Sequence, residues 1–250
     1  MGLKFKLLKG KKGIQKVYNM MAKDYDKSKY LFWTRKFEYF EEKIIKKWLS
    51  EFKGVVCDIG CGTGRYSLKL LPYCDKLIAL DFSKGMLTIL REKIKSSKIS
   101  VIVGDGENLP FRNDSIDGII CTLALDHFSS HESGIKEFYR VLKNGAMCVI
   151  SIFNRRTMEE VLKMAKIPYG YIPFRTENCP PALIEEKFLY YEEAIKILSK
   201  YFKIVEVKGC CYWHIFPFPH FYFPFLDKMF NRFKKLIKFA EIFTFKLEKI

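Results

Sequence analysis

Val55–Leu70 reads VVCDIGCGTGRYSLKL, and the fold follows from the spacing of its apolar residues and glycines. Val55, Val56 and Cys57 form a short apolar run that closes on Asp58; glycines then stand at positions 60, 62 and 64, and Tyr66, Leu68 and Leu71 begin a helical spacing. The order is strand, tight turn, helix. Glycine serves where backbone must take a positive φ or lie against a ligand with no Cβ between them, and the helix start that follows presents N–H groups without partners in the helix. Two other glycine-rich turns are excluded by spacing. A G-x-G-x-x-G fingerprint counted from Gly60 puts Arg65 at its third glycine, and a phosphate loop ends in G-K-[S/T], which is missing here.

The next fifty residues repeat the alternation. Leu77–Leu80 is a second apolar run ending on Asp81, seventeen residues beyond Gly64, where an acidic side chain can accept hydrogen bonds from both hydroxyls of a ribose. Ser83 has the chemistry of an N-cap for a helix carrying Met86, Leu87 and Leu90. Val101–Val103 reads as a third strand leading into Gly104-Asp105-Gly106, and Ser115-Ile116-Asp117 opens a fourth, Gly118–Leu123.

This set, D-x-G-x-G-x-G from Asp58 to Gly64, then Asp81, Asp105 and the turn Asn108-Leu109-Pro110-Phe111, resembles the class I S-adenosyl-L-methionine (SAM)-dependent methyltransferases of type 11. The resemblance implies an α/β, Rossmann-like fold: a seven-stranded, mostly parallel sheet with helices on both faces and an antiparallel last strand. It implies SAM as cofactor, with the turn of Gly60, Gly62 and Gly64 around its amino-acid end, Asp81 on the ribose, Phe82 against the adenine and Asp105 on the adenine amino group. Asp58, Met86, Gly106 and Thr122 complete the expected cofactor set. Lys143-Asn144-Gly145 and the strand Ala146–Phe153 are similar to the family's "LKPGG" turn and fifth strand, with Asn144 in place of proline. Tyr18, Ala22, Tyr25 and Asp26 form a Y-x-x-x-A-x-x-Y-D pattern similar to the segment that closes over the cofactor in many members, and a tyrosine face there, Tyr25 above all, can stabilise the sulfonium charge.

Composition bounds the rest. The chain has 250 residues, 49% of them hydrophobic, enough for one sizeable domain with a cap or insertion. A net charge of +16 points to a polyanionic partner, nucleic acid or an acidic membrane surface. The start, MGLKFKLLKGKKGIQ, lacks the apolar core and cleavage site of a secretion signal, and Lys6 stands where a myristoylation motif carries Ser or Thr, so a cytoplasmic location is expected. Of eight cysteines, Cys57, Cys61, Cys74, Cys121 and Cys148 fall in core strands and turns, where a thiol packs as a small apolar group. No C-x-x-C is present and Cys210 and Cys211 are adjacent, so no metal site is expected.

Along the chain, residues 1–53 read as a loose basic arm (1–15) followed by cap helices, and 54–250 as the core, with acceptor-binding insertions at about 154–187 and 209–240. Tyr191–Tyr201 reads as a helix, and Lys203–Val207 and Glu241–Leu247 as the last two strands. Between them lie CCYWHIFPFPHFYFPF, too rich in proline for a central strand, and a basic amphipathic helix from Leu226 to Ile237 suited to an anionic surface. At the mouth of the fourth strand the one titratable pair is Asp126 and His127, the candidate catalytic residues should the acceptor need to lose a proton; His214 and His220 lie in the aromatic stretch.

Two acceptors are implied by finer resemblance. Asp24–Trp33 (DYDKSKYLFW) and Asp126–Glu132 (DHFSSHE) are similar to tRNA wobble-uridine carboxymethyl methyltransferases, which implies tRNA as acceptor and a small zinc-binding partner subunit; Lys29 and Asp126 depart from that pattern. The aromatic stretch and the helix after it are similar to ubiquinone and menaquinone methyltransferases, which implies a hydrophobic small molecule met at a membrane surface. A SAM-binding partner protein without activity is the third reading. The sequence leans to tRNA.

Overall fold

The computed structural model describes residues 5–27, 32–212 and 225–250. Strand β1 (Lys6–Leu8) and helices α1 (Gly10–Met21) and α2 (Phe32–Ile45) precede the core. The core begins with β2 (Val55–Ile59), α3 (Ser67–Leu70), β3 (Lys76–Asp81), α4 (Lys84–Lys93), β4 (Ile99–Val103), β5 (Ile116–Thr122), α5 (His131–Val141) and β6 (Leu142–Phe153). An insertion follows, with α6 (Arg155–Met164), β7 (Tyr171–Phe174) and β8 (Ala182–Glu185). The chain ends with α7 (Tyr191–Leu198), β9 (Phe202–Cys210), α8 (Phe225–Phe230), α9 (Lys234–Ile237) and β10 (Ile242–Lys249).

Seven strands form one sheet in the order β4-β3-β2-β5-β6-β10-β9. β2 pairs in parallel with β3 and β5, β3 with β4, and β5 with β6, while β10 lies antiparallel between β6 and β9. This is the Rossmann-like, mostly parallel sheet with an antiparallel last strand that the sequence implies. Both faces are buried, so alternate residues of one strand serve different cores. Cys57, Ile59, Ile119, Cys121, Cys148 and Ile150 pack on the side of Phe138 in α5, whereas Val56, Ile120 and Val149 pack with Trp48, Tyr66 and Leu70 on the other. Phe243, Phe245 and Leu247 of β10 are fully buried, and each such side chain contributes roughly 1.5–3 kcal/mol.

Residues 5–15 are not a loose arm. β1 pairs in parallel with β8, which pairs antiparallel with β7, making a second, three-stranded sheet. α1 buries Ile14, Val17 and Met21, spaced for one helix face, against Ala182 and Ile184 of that sheet and Met86 of α4. Asn19 accepts from Gly85 N at 2.8 Å and Gln15 donates to the Phe82 carbonyl at 2.6 Å, so the N-terminal unit is tied to the end of β3.

The amphipathic pattern at 226–237 is two short helices, not one. Asn231 explains the break: its side chain accepts from Gly209 N at 2.8 Å and donates to the carbonyls of Gly209 and Asp227, both at 2.7 Å, fastening the turn to β9. Most of the aromatic stretch, with His214 and His220, and Lys29 and Tyr30 lie outside the described residues. All eight cysteines are buried free thiols. Among the described residues no helix is long and apolar enough to cross a membrane.

Candidate active site

The site is built at the carboxyl ends of β2, β3 and β5. Each of the three glycines has a positive φ, +69° at Gly60, +53° at Gly62 and +91° at Gly64, but they serve different ends. A Cβ on Gly60 would lie 2.3 Å from Ala124 Cβ, and one on Gly64 would lie 2.3 Å from Leu90 Cδ1, so these two allow the turn to pack on the end of β5 and on α4. A Cβ on Gly62 would meet nothing within 4 Å. Gly62 therefore presents bare backbone to open space, and that space is a cavity of about 1210 Å³.

Tyr25, Gly60, Gly62, Asp81, Phe82, Met86, Asp105, Gly106, Thr122 and His127 all line this cavity. Three expected residues stand behind its wall. Asp58 accepts from Ser67 Oγ at 2.6 Å and Gly64 faces Leu90. Asp126, 1% exposed, accepts from Phe153 N at 3.0 Å, and its Oδ1 has no partner among the described residues. Asp58 holds the turn's helix to its strand, and burial lifts its carboxyl to about 6.

Asp81 ties two parts of the cavity wall together. Its two oxygens accept from Gly62 N at 2.9 Å and Ser83 N at 2.7 Å, joining the glycine turn to the start of α4. Burial raises its carboxyl to about 6, against the pull of those N–H groups. Asp105 accepts from Glu107 N at 3.0 Å and pairs with Lys11 of α1, which also reaches Glu107 at 2.6 Å. Asp26, beside Tyr25, accepts from Thr63 Oγ1 at 2.9 Å, and Asp24 accepts from Asn178 N and Nδ2, both at 2.9 Å. The N-terminal segment is thus fastened to the glycine turn on one side and to the insertion on the other, with the cavity beneath.

Sequence reasoning missed two residues of this wall. Arg65 entered it only as the residue that spoils a dinucleotide fingerprint. Arg65 lines the cavity; its Nη2 is 2.8 Å from Glu41 and 3.4 Å from Thr122 Oγ1, while Nη1 is buried with no partner among the described residues. Glu186 just follows β8, is 7% exposed, and reaches to 3.5 Å from His127 Nδ1. On its other side His127 Nε2 lies 2.6 Å from the Tyr18 hydroxyl. Burial pushes His127 down to about 4, Asp126 up to about 8 and Glu186 well above the usual carboxylate range, with Asp126 adding to the last shift. Leu123, a non-glycine residue at φ 49°, turns the chain at the end of β5 and aims Ala124 and His127 inward.

The lining also holds apolar side chains, Phe128, Phe153, Met158, Leu162, Ile172 and Phe174, with the charged Glu160, Lys163, Arg175 and Glu241 among them.

The sheet order is that of the Rossmann-like methyltransferase fold. Residues 57–150 match the model of a family described as a methyltransferase domain. The chain is 29% identical over 143 residues to a demethylmenaquinone methyltransferase of Lactococcus lactis, an alignment covering 54% of this chain and 56% of that protein. It therefore spans little more than half the length of such curated relatives. Among solved structures, a methyltransferase of Thermotoga maritima described as a possible histamine N-methyltransferase superposes with a TM-score of 0.64 at 20% identity, over 95% of this chain and 100% of that one. A methyltransferase of Haloferax volcanii solved with the Trm112 activator gives 0.61 at 16%, over 93% and 97%.

SAM is the cofactor of that class, and the residues present fit it. Gly62 leaves a cradle that a Cβ would enter, the Asp81 carboxylate lines the cavity beside it, and the orphaned Arg65 Nη1 is a buried donor suited to a carboxylate.

Proposed function

We propose that this chain is a SAM-dependent methyltransferase whose acceptor is a hydrophobic small molecule of the quinol or lipid type. The observation that carries the reading is the single cavity with two chemistries, the backbone and carboxylates of the cofactor set together with the apolar side chains of Phe128, Phe153, Met158, Leu162 and Phe174. The likeness to demethylmenaquinone methyltransferases supports it.

SAM, when bound, supplies an already activated methyl group, so the protein's work is alignment and exclusion of water. Gly62, Asp81 and Arg65 hold the cofactor end, and the aromatic wall holds a flat acceptor in line with it. An acceptor hydroxyl has a path for its proton: the Tyr18 oxygen takes it while the Tyr18 proton passes to His127 Nε2, 2.6 Å away. An imidazole held near 4 accepts that proton only when a neighbouring carboxyl is ionised to balance it. Glu186, 3.5 Å from Nδ1, fills that role, and activity rises with pH as the Asp126 and Glu186 carboxyls lose their protons.

A modified tRNA uridine is the second reading, supported by the net charge of +16 and by the fold likeness to the Haloferax protein solved with its activator. On that reading a small zinc-binding subunit would be the partner. The apolar lining of the cavity favours the small molecule. Incubation with methyl-labelled SAM and separate lipid, RNA and protein fractions of the source cell tests the choice: label in the organic-soluble fraction supports the proposal, and label in RNA alone refutes it.

A further inference from the structure

The face of the insertion around the cavity mouth joins exposed apolar side chains to unpaired basic ones. β1, β8 and β7 are in register so that Leu7, Leu183 and Pro173 form one row across the small sheet. The neighbouring rows, Leu8, Ile184 and Ile172 and then Ala182 and Phe174, face inward toward α1 and the cavity, so the Leu7 row is the outer face. Leu7 is 46% exposed, Pro173 is exposed and Leu183 half-buried. On α6, Val161 and Met164 are 39% and 76% exposed and line the cavity as well, which sets them at its opening. Lys9, Lys163, Lys166 and Arg175 are exposed around these residues, and none forms an ion pair with a described residue. Water is a poor solvent for such a centre.

We propose that this face docks on an anionic lipid bilayer, so that the mouth of the cavity opens against the membrane and a hydrophobic acceptor enters without crossing water. The inference rests on the acceptor reading above. The occupant follows from charge and polarity together: apolar side chains at the centre suit the acyl boundary, and cationic ones around them suit acidic headgroups. A nucleic acid would match the rim but would leave Leu7, Met164 and Val161 against a charged backbone. The surface is distinct from α8 and α9, the basic amphipathic segment that the sequence singles out for an anionic surface.

The test is vesicle flotation of the full chain with phosphatidylcholine vesicles containing phosphatidylglycerol or lacking it, with SAM affinity measured in parallel by calorimetry. Binding to the anionic vesicles only is expected, weakening steeply with salt. The double variant Lys9→Glu/Lys166→Glu and the variant Leu7→Asp lie outside the cavity wall, and each is expected to lose at least about tenfold in vesicle partition with SAM affinity unchanged. Anionic vesicles that fail to bind the unmutated protein would overturn the inference. So would binding that survives these variants but is lost with Lys235→Glu/Lys238→Glu, or variants that abolish binding to tRNA while leaving vesicles unaffected. Failure of the unmutated protein to bind SAM would count against the methyltransferase reading instead.

Discussion

Gly62→Ala separates the turn's two duties. The backbone there has φ +53°, where an L residue pays about 1–2 kcal/mol, and the added Cβ meets nothing within 4 Å, so strain in the turn is the whole cost to the fold. For a chain of this length that is a fall in Tm of roughly 2–8 °C. The hydrogen bond from residue 62 N to Asp81 survives, because it uses the main chain. The new methyl group instead enters the cavity where bare backbone was to touch the cofactor, and overfilling a packed contact by one carbon costs about 1–3 kcal/mol, or roughly 5- to 150-fold in Kd. Thermal unfolding with and without SAM, together with calorimetric titration, reads both numbers. A variant that melts a few degrees lower yet binds SAM as tightly as the unmutated protein would show that Gly62 does not face the cofactor, and the assignment of the turn would fall with it.

Gly60→Ala should behave differently: its Cβ would sit 2.3 Å from Ala124 Cβ, so the expected outcome is loss of soluble, cooperatively melting protein, checked by expression and calorimetry. SAM affinity should fall as pH drops through about 6, because Asp81 must be ionised to accept from a ribose and burial has raised its carboxyl to that value; titrations between pH 5 and 8 on the order of one unit apart check it. Asp126 binds its proton in the folded chain across the window from 3.8 to about 8, so stability contributed by that proton is present below 3.8 and lost as pH rises through about 8. Asp126→Asn keeps an acceptor for Phe153 N and cannot ionise, so at pH 8–9 it should add stability on the order of a few kcal/mol, read as a Tm higher by several degrees, and do little at acid pH. Tyr18→Phe removes the hydroxyl 2.6 Å from His127 and should lower kcat by roughly 10² with SAM affinity retained; equal losses in both would assign Tyr18 to the cofactor instead.

The strands that carry the cofactor end were legible because each is a short apolar run ended by Asp58, Asp81 or Gly104, and the glycine turn has a spacing few other loops share. The sheet order came with the resemblance, not with the residues. The small second sheet was not legible. Its strands are three or four residues long, and Lys6 pairs with Ala182 across most of the chain, so no local periodicity announces it. α1 was visible only from Val17 onward because lysines interrupt the apolar face at Lys11, Lys12 and Lys16. Arg65 and Glu186 escaped for a related reason: a single charged residue has no pattern, and its role depends on which partner the fold leaves out. Arg65 could have been suspected, since an arginine in the turn directly after a buried strand must find an anion. Glu186 offers no signal at all, because nothing in the pattern of the insertion separates it from the neighbouring Glu185.

The most direct test is a crystal structure with S-adenosylhomocysteine. The account predicts the ribose hydroxyls within about 3 Å of the Asp81 carboxylate, the amino-acid end against Gly62 with its carboxylate on Arg65 Nη1, and the adenine beside Phe82. Ligand density anywhere else, or an Asp81 carboxylate still bound only to Gly62 N and Ser83 N with no ligand near it, would contradict it.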